Sequence, residues 1–272
     1  MINKILVPTD FSPLADNALK YAGELCKHTK AELVLLHVLQ INSTDLQMPA
    51  AFADEIMTEQ QKVAQTKLDT AKAFVRHTYG VSVEGVCTFG AVAEEIADYA
   101  TQNSIDLVVM STHGITNFLD RILGTNTSTT ILRIQTPLLV IPKEVSYKEI
   151  QKVVVATDYS GSEMEYLNFV HNMTQNMPVA FHFLHVNSLD TKPNKSEIDE
   201  ELTAFSPNIH FHEVLGADVV KSVKAYIDTN HIDLLALRHH ERSFFSELFH
   251  TSIAKELSHI TNLPMLVFHD KI

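Results

Sequence analysis

One sequence feature constrains this chain more than any other: it contains the same succession of motifs twice. Ile5-Leu6-Val7-Pro8-Thr9-Asp10-Phe11-Ser12 matches Val153-Val154-Val155-Ala156-Thr157-Asp158-Tyr159-Ser160, and Leu36-His37-Val38 matches Leu184-His185-Val186, both at an offset of 148. Further on, Ile105-Asp106-Leu107 matches Ile232-Asp233-Leu234, and Thr136-Pro137-Leu138-Leu139-Val140 matches Leu263-Pro264-Met265-Leu266-Val267, at an offset of 127. A repeat of this length is one whole domain rather than a solenoid unit. The expected domains are therefore residues 1–143 and 150–272. The second copy is 21 residues shorter, and the loss falls where copy one has an amphipathic stretch from Phe52 to His77 and copy two only the polar Asp190 to Pro207. A helix there is expected to be shortened or missing.

Within each copy, short β-branched runs alternate with helical patterns. The spacing predicts strands over Lys4–Pro8, Glu32–Val38, Val81–Thr88, Leu107–Ser111 and Leu138–Ile141. Helices are predicted over Pro13–Thr29, Phe52–His77, Val92–Asn103 and Thr125–Ile134. Runs such as Leu33 to Leu36, apolar at consecutive positions, read as parallel strands covered on both faces. Ser12 before Pro13, and Ser162 with Glu165, read as helix starts. The expected fold class is α/β, Rossmann-like: two tandem open-sheet domains, each a five-stranded, mostly parallel sheet with helices on both faces. Such a sheet binds ligands beyond the carboxyl ends of its strands, where strand order reverses.

Two segments lie at those ends in copy one. Pro8-Thr9-Asp10 ends the first strand; Asp10 reads equally as a turn acid and as a polar clamp on a ligand. Ser111-Thr112-His113-Gly114 ends the fourth, and after nine residues Gly124-Thr125-Asn126-Thr127-Ser128-Thr129 opens a helix. Glycines admit close backbone approach, and a hydroxyl-rich helix start offers N–H groups and a positive dipole end to an anion. A Gly-Thr pair is also an ordinary helix cap, so this loop alone leaves both readings open.

These motifs together, with Ser-x-x-Gly-x9-Gly-Thr in place of Gly-x-x-Gly-x9-Gly-Ser/Thr, resemble the universal stress protein family in its tandem form. The resemblance implies that Pro8, Thr9, Asp10 and Val38, the last through its backbone, lie against adenine and ribose. It also implies that Ser111, His113, Gly114, Gly124, Thr125, Asn126 and Thr127 cradle the phosphates of ATP or another adenine nucleotide, with or without magnesium. Ser111 departs from the pattern: it costs affinity if its position needs positive φ and is tolerated if the position needs only a small side chain. In copy two the stretch reads Arg238-His239-His240-Glu241, nine residues, then Thr251-Ser252. The glycines are gone and Glu241 would oppose phosphate, so no triphosphate is expected there.

No Gly-x-x-x-x-Gly-Lys-Ser/Thr element or oriented catalytic set is present, so a nucleotide-binding regulatory protein is expected rather than an enzyme. Copy two holds 11 of the 15 histidines, which raises zinc as an alternative ligand, against scattered surface histidines as the plainer reading. An interaction scaffold is a third reading: the two apolar final strands each need an edge partner, and pairing them would join the two domains inside one chain. A homodimer is expected on the family resemblance. The net charge of −12 argues against nucleic acid and anionic membranes, and residues 144–272 carry −8 of it. Without a membrane-length apolar run or a leader pattern, the chain reads as cytoplasmic.

Overall fold

The computed structural model describes residues 1–40, 50–112, 125–157, 163–174, 178–187, 208–215, 219–239 and 263–269. Contacts divide the chain into two compact bodies, residues 2–111 with 124–138, and residues 139–272 with Met1 and 112–123.

The elements of copy one are β1 (Lys4–Pro8), α1 (Pro13–Thr29), β2 (Glu32–Leu39), α2 (Ala50–Tyr79), β3 (Val83–Phe89), α3 (Val92–Gln102), β4 (Leu107–Thr112), α4 (Thr125–Arg133) and β5 (Leu138–Pro142). Strand order in the first body is β3-β2-β1-β4. The β1–β2, β1–β4 and β2–β3 pairs are parallel. Leu33 to Leu36 and all six residues of β4 are buried, as strands covered on both faces require. Because β1 lies between β2 and β4, the chain winds outward through β2 and β3 and returns beside β1. Strand order therefore reverses at the carboxyl ends of β1 and β4.

Helix ends follow the local chemistry. The Ser12 hydroxyl accepts from the Ala15 N–H at 3.2 Å, and Pro13 starts α1. The helix α2 runs two residues beyond the expected span at each end, and buries Ala64, Leu68 and Val75. It lies close on β3: a Cβ added at Gly85 would stand 2.8 Å from Lys72 Cδ and 3.4 Å from Leu68 Cβ. Similarly, a Cβ at Gly23 of α1 would clash with the edge of the Tyr79 ring at the end of α2.

Copy two gives β6 (Lys152–Ala156), α5 (Glu163–Met173), β7 (Ala180–Asn187), β8 (Ile209–Leu215), α6 (Val219–Asn230), β9 (Leu234–His239) and β10 (Met265–His269). Its strands run β10-β9-β6-β7-β8, so β7, β6 and β9 repeat the order of β2, β1 and β4. Tyr166 and Phe169 of α5 pack on Phe268 of β10, with ring centroids 4.5 and 5.2 Å apart. Ser162 and the shortened stretch from Asp190 to Pro207 lie outside the described residues.

The repeat extends to backbone detail. Ser104 and His231, 127 apart, both take left-handed φ, +53° and +54°, at the helix ends before the Ile-Asp-Leu motif. The aspartate of that motif explains its recurrence. Asp106 accepts from the N–H groups of Asn3 and Lys4 at 2.7 and 3.0 Å, and Asp233 from those of Gln151 and Lys152 at 3.0 and 2.9 Å. Each carboxylate thus clamps the start of its sheet's central strand from the neighbouring strand. No described helix is long and apolar enough to cross a membrane.

Candidate functional site

At the end of β1 the chain turns sharply. Phe11 takes φ +62°, a conformation that disfavours a bulky side chain by about 1–2 kcal/mol. Three contacts hold the turn. The Phe11 N–H donates to Thr9 Oγ1 at 3.0 Å, the Ser12 N–H donates to Asp10 Oδ1 at 2.9 Å, and the Phe11 ring lies 4.6 Å from that of His37. Asp10 is therefore a turn acid, yet it is exposed, and this bond engages Oδ1.

His37 ties β2 to this turn: its Nδ1 lies 2.7 Å from the Thr9 carbonyl oxygen. The strap recurs in copy two, with His185 Nδ1 2.9 Å from the Thr157 carbonyl oxygen. The recurrence of Leu-His-Val in the sequence has this physical cause. It also fixes Val38. The Thr9 N–H donates to Leu36 O and the Gly90 N–H to Leu39 O, so alternate β2 residues address β1 and β3. By that alternation Val38 directs its N–H and C=O to the β1 side, and the β1–β2 register ends at Pro8 opposite Leu36. The Val38 backbone groups point into the slot beyond the end of β1.

The fourth strand ends beside it. Continuing the β1–β4 register by three residues brings Ser111 level with Thr9. Ser111 is part of β4 and has no positive φ, so its place in the motif does not demand glycine on conformational grounds. Its carbonyl accepts from Thr127 Oγ1 at 3.4 Å, with Thr127 buried in the first turn of α4. Thr125 starts α4 and Asn126 is exposed, its carbonyl accepting from Thr130 Oγ1 at 2.7 Å. His113, Gly114 and Gly124 lie outside the described residues, as do Asp158, Glu241, Thr251 and Ser252 of copy two. Thus the structure brings together Thr9, Asp10 and Val38 at one strand end and Ser111 with Thr127 at the next.

Two features were not legible in the sequence. A recess of about 410 Å³ opens at the ends of β1 and β2, lined by Asp10, Phe11, His37 and Leu39 and by Ile56, Val63 and Lys67 of α2. Lys67 Nζ stands 5.2 Å from the Phe11 ring centroid, a cation–π distance. In addition, Thr112 Oγ1 at the end of β4 is buried and makes no hydrogen bond among the described residues. The positive φ of Phe11 and the side chains facing it across α2 depend on tertiary packing, which motif spacing does not encode.

An open parallel sheet whose strand order turns back beside β1, with an acid, the backbone groups of Val38 and a hydroxyl-bearing helix start at that point, is the ligand-binding architecture of doubly wound α/β proteins. The chain belongs to the universal stress protein family, whose model matches residues 1–142. It is 29% identical over 160 residues to a universal stress protein of Methanocaldococcus jannaschii, an alignment covering 54% of this chain and 98% of that one. One from Synechocystis is 24% identical over 293 residues, 98% of this chain and all of that protein. Among solved structures, a universal stress protein from Archaeoglobus fulgidus superposes with TM-score 0.73 at 18% identity, covering 98% of this chain and 96% of that one, which shows the shared fold.

Proposed function

We propose that the chain is a two-domain universal stress protein, with domains at 1–143 and 150–272, whose first domain binds ATP or a related adenine nucleotide as a regulatory module with little or no hydrolysis. The observation that carries this reading is the slot past β1. An adenine edge pairs an amino donor with a ring-nitrogen acceptor, complementary to the Val38 C=O and N–H side by side. Asp10 supplies an exposed carboxylate for ribose hydroxyls, and the α4 start supplies N–H groups and hydroxyls for phosphate, with His113, Gly114 and Gly124 completing that loop. Ser111 in an extended strand supports its standing where the family pattern has glycine. Magnesium would then be held by the phosphates rather than by a dedicated set of protein carboxylates. The protein acts in the cytoplasm and as a homodimer in this reading, the latter checked by light scattering.

Calorimetric titration with ATP, AMP and GTP tests the proposal. One adenine nucleotide should bind per chain, with GTP at least about tenfold weaker because guanine presents the reverse donor–acceptor order. Equal binding of GTP, or no binding of any nucleotide, would reject it. Brisk multiple-turnover phosphate release would reject the regulatory part alone.

A further inference from the structure

Outside the nucleotide site, copy two gathers three histidines where copy one has one acid and two aliphatic residues. His182, in the middle of β7 and 9% exposed, is register partner of His210 in β8. His212 stands two residues along β8 on the same face. The ring centroids of His182 lie 5.2 Å from His210 and 5.6 Å from His212, and those of His210 and His212 are 6.4 Å apart. Helix α6 lays Tyr226 against them: its hydroxyl is 2.8 Å from His182 Nδ1, and its ring is 4.9 Å from His212. His212 Nε2 is buried without a hydrogen bond among the described residues. By strand register and repeat offset, the corresponding residues of copy one are Val34, Glu84, Val86 and Tyr99. The tyrosine is common to both copies, and the three positions beneath it differ.

Geometry decides what such a cluster takes up. The His182 and His212 rings are nearly parallel, 14° between planes, so their nitrogens do not converge. Among the described residues no three metal-ligating side chains gather around one point. Close, partly buried imidazoles that do not converge on a metal remain sensitive to protons. We propose that His182, His210 and His212 form a proton-responsive latch, which holds edge strand β8 and helix α6 against β7 at neutral pH and loosens them on mild acidification.

The groups facing His182 are Lys152 from β6, His210 and His212 from β8, and Tyr226 from α6. Burial pushes the His182 imidazole down to about 4, with His210, His212 and Lys152 adding to the effect; burial, then His210, also lowers His212. Burial pushes the Tyr226 phenol up to about 12, so it stays neutral throughout. With Nδ1 of His182 unprotonated, the Tyr226 hydroxyl donates to it; a proton added there makes the ring the donor and forces the hydroxyl to turn. Between about pH 6.5 and 4 the unfolded chain binds more protons than the folded cluster. The latch therefore stabilises fully above that window and weakens as pH falls through it.

The test uses the full chain, with imidazole titration by NMR and hydrogen exchange of β7–β8 peptides at about pH 7.5 and about pH 5, corrected for intrinsic exchange rates. His182 should titrate below 5, and its displacement alone shifts the local opening equilibrium by up to about 30-fold between those conditions. The combined variant His182→Val, His210→Glu, His212→Val, which restores the residues of copy one, should abolish the shift. Titration of His182 near 6.5, a shift below about threefold, or an undiminished shift in the variant would overturn the proposal. Should the variant not fold, the wild-type titration and the wild-type exchange shift together decide.

Discussion

Replacing Asp233 by alanine tests the clamp at the start of β6 and, with it, the physical reason for the repeated Ile-Asp-Leu motif. The carboxylate accepts from the N–H groups of Gln151 and Lys152 and from Lys148 Nζ at 2.6 Å, and its side chain is 14% exposed. A hydrogen bond to a charged group contributes about 1.5–3 kcal/mol, and a buried donor left alone costs a further 1–3. Gln151 is exposed and finds water, whereas the Lys152 amide is partly buried, so the expected loss is about 2–4 kcal/mol. The Lys148 ammonium, 59% exposed, is a screened partner, and Lys148→Ala should cost no more than about 1 kcal/mol. Burial pushes the Asp233 carboxyl up, but Lys148 and the two backbone N–H groups together outweigh it and hold it below the ordinary range. Its contribution is thus present above the unfolded value near 3.9 and lost as pH falls through the folded one. The gap between wild type and variant should stay constant from about pH 7 to 5 and close only in stronger acid. Urea unfolding followed by circular dichroism gives the magnitude, and hydrogen exchange of the β6 peptide locates it. A loss under about 0.5 kcal/mol, or a Lys148→Ala loss equal to that of Asp233→Ala, would refute the reasoning.

Four further outcomes follow from the same geometry. Gly23→Ala would ordinarily add about 1 kcal/mol to a helix, but the Tyr79 ring occupies the space, so thermal unfolding should show a net loss of about 1–3 kcal/mol. Ser12→Ala removes the cap of α1 and should cost about 1 kcal/mol in the same assay. Asp10→Ala should weaken ATP binding about tenfold or more in calorimetry while AMP and ATP lose affinity alike, since in the proposed binding mode the carboxylate addresses the nucleoside. Burial pushes the Cys26 thiol up to about 12 and also raises Cys87, which is less enclosed. Iodoacetamide should therefore label Cys87 first, and Cys26 only on unfolding, as read by peptide mass spectrometry.

Fold and site were legible to different depths. The expected spans of β1 and α1 coincide with the observed ones because each is bounded by local chemistry: a strand ending at Pro8, a cap at Ser12 and Pro13 behind it. The ends of α2 extend past expectation because a helix packed on β3 through Ala64, Leu68 and Val75 can carry polar residues beyond its apolar stripe. At the candidate site, the motif singled out Thr9, Asp10, Val38, Ser111 and Thr127 as expectations, but the way Val38 is presented depends on where β1 stops, a pairing fact absent from β2's own sequence. The histidines of copy two were visible as a count. That three of them share a face with Tyr226 follows only from the β7–β8 register together with the placement of α6. Aligning the two copies position by position carries that signal, since Tyr99 and Tyr226 coincide while Val34, Glu84 and Val86 do not.

The Asp106 clamp also orders events during synthesis. The central strand β1 leaves the ribosome ahead of the carboxylate that fastens its start, which lies about a hundred residues behind it. At about 5–20 residues per second, β1 waits on the order of 5–20 s before it can be locked. Until then it has β2 on one side and an unpaired edge on the other. A nascent chain stalled before Asp106 would present that edge to whatever else is emerging nearby, including the β1 of another chain.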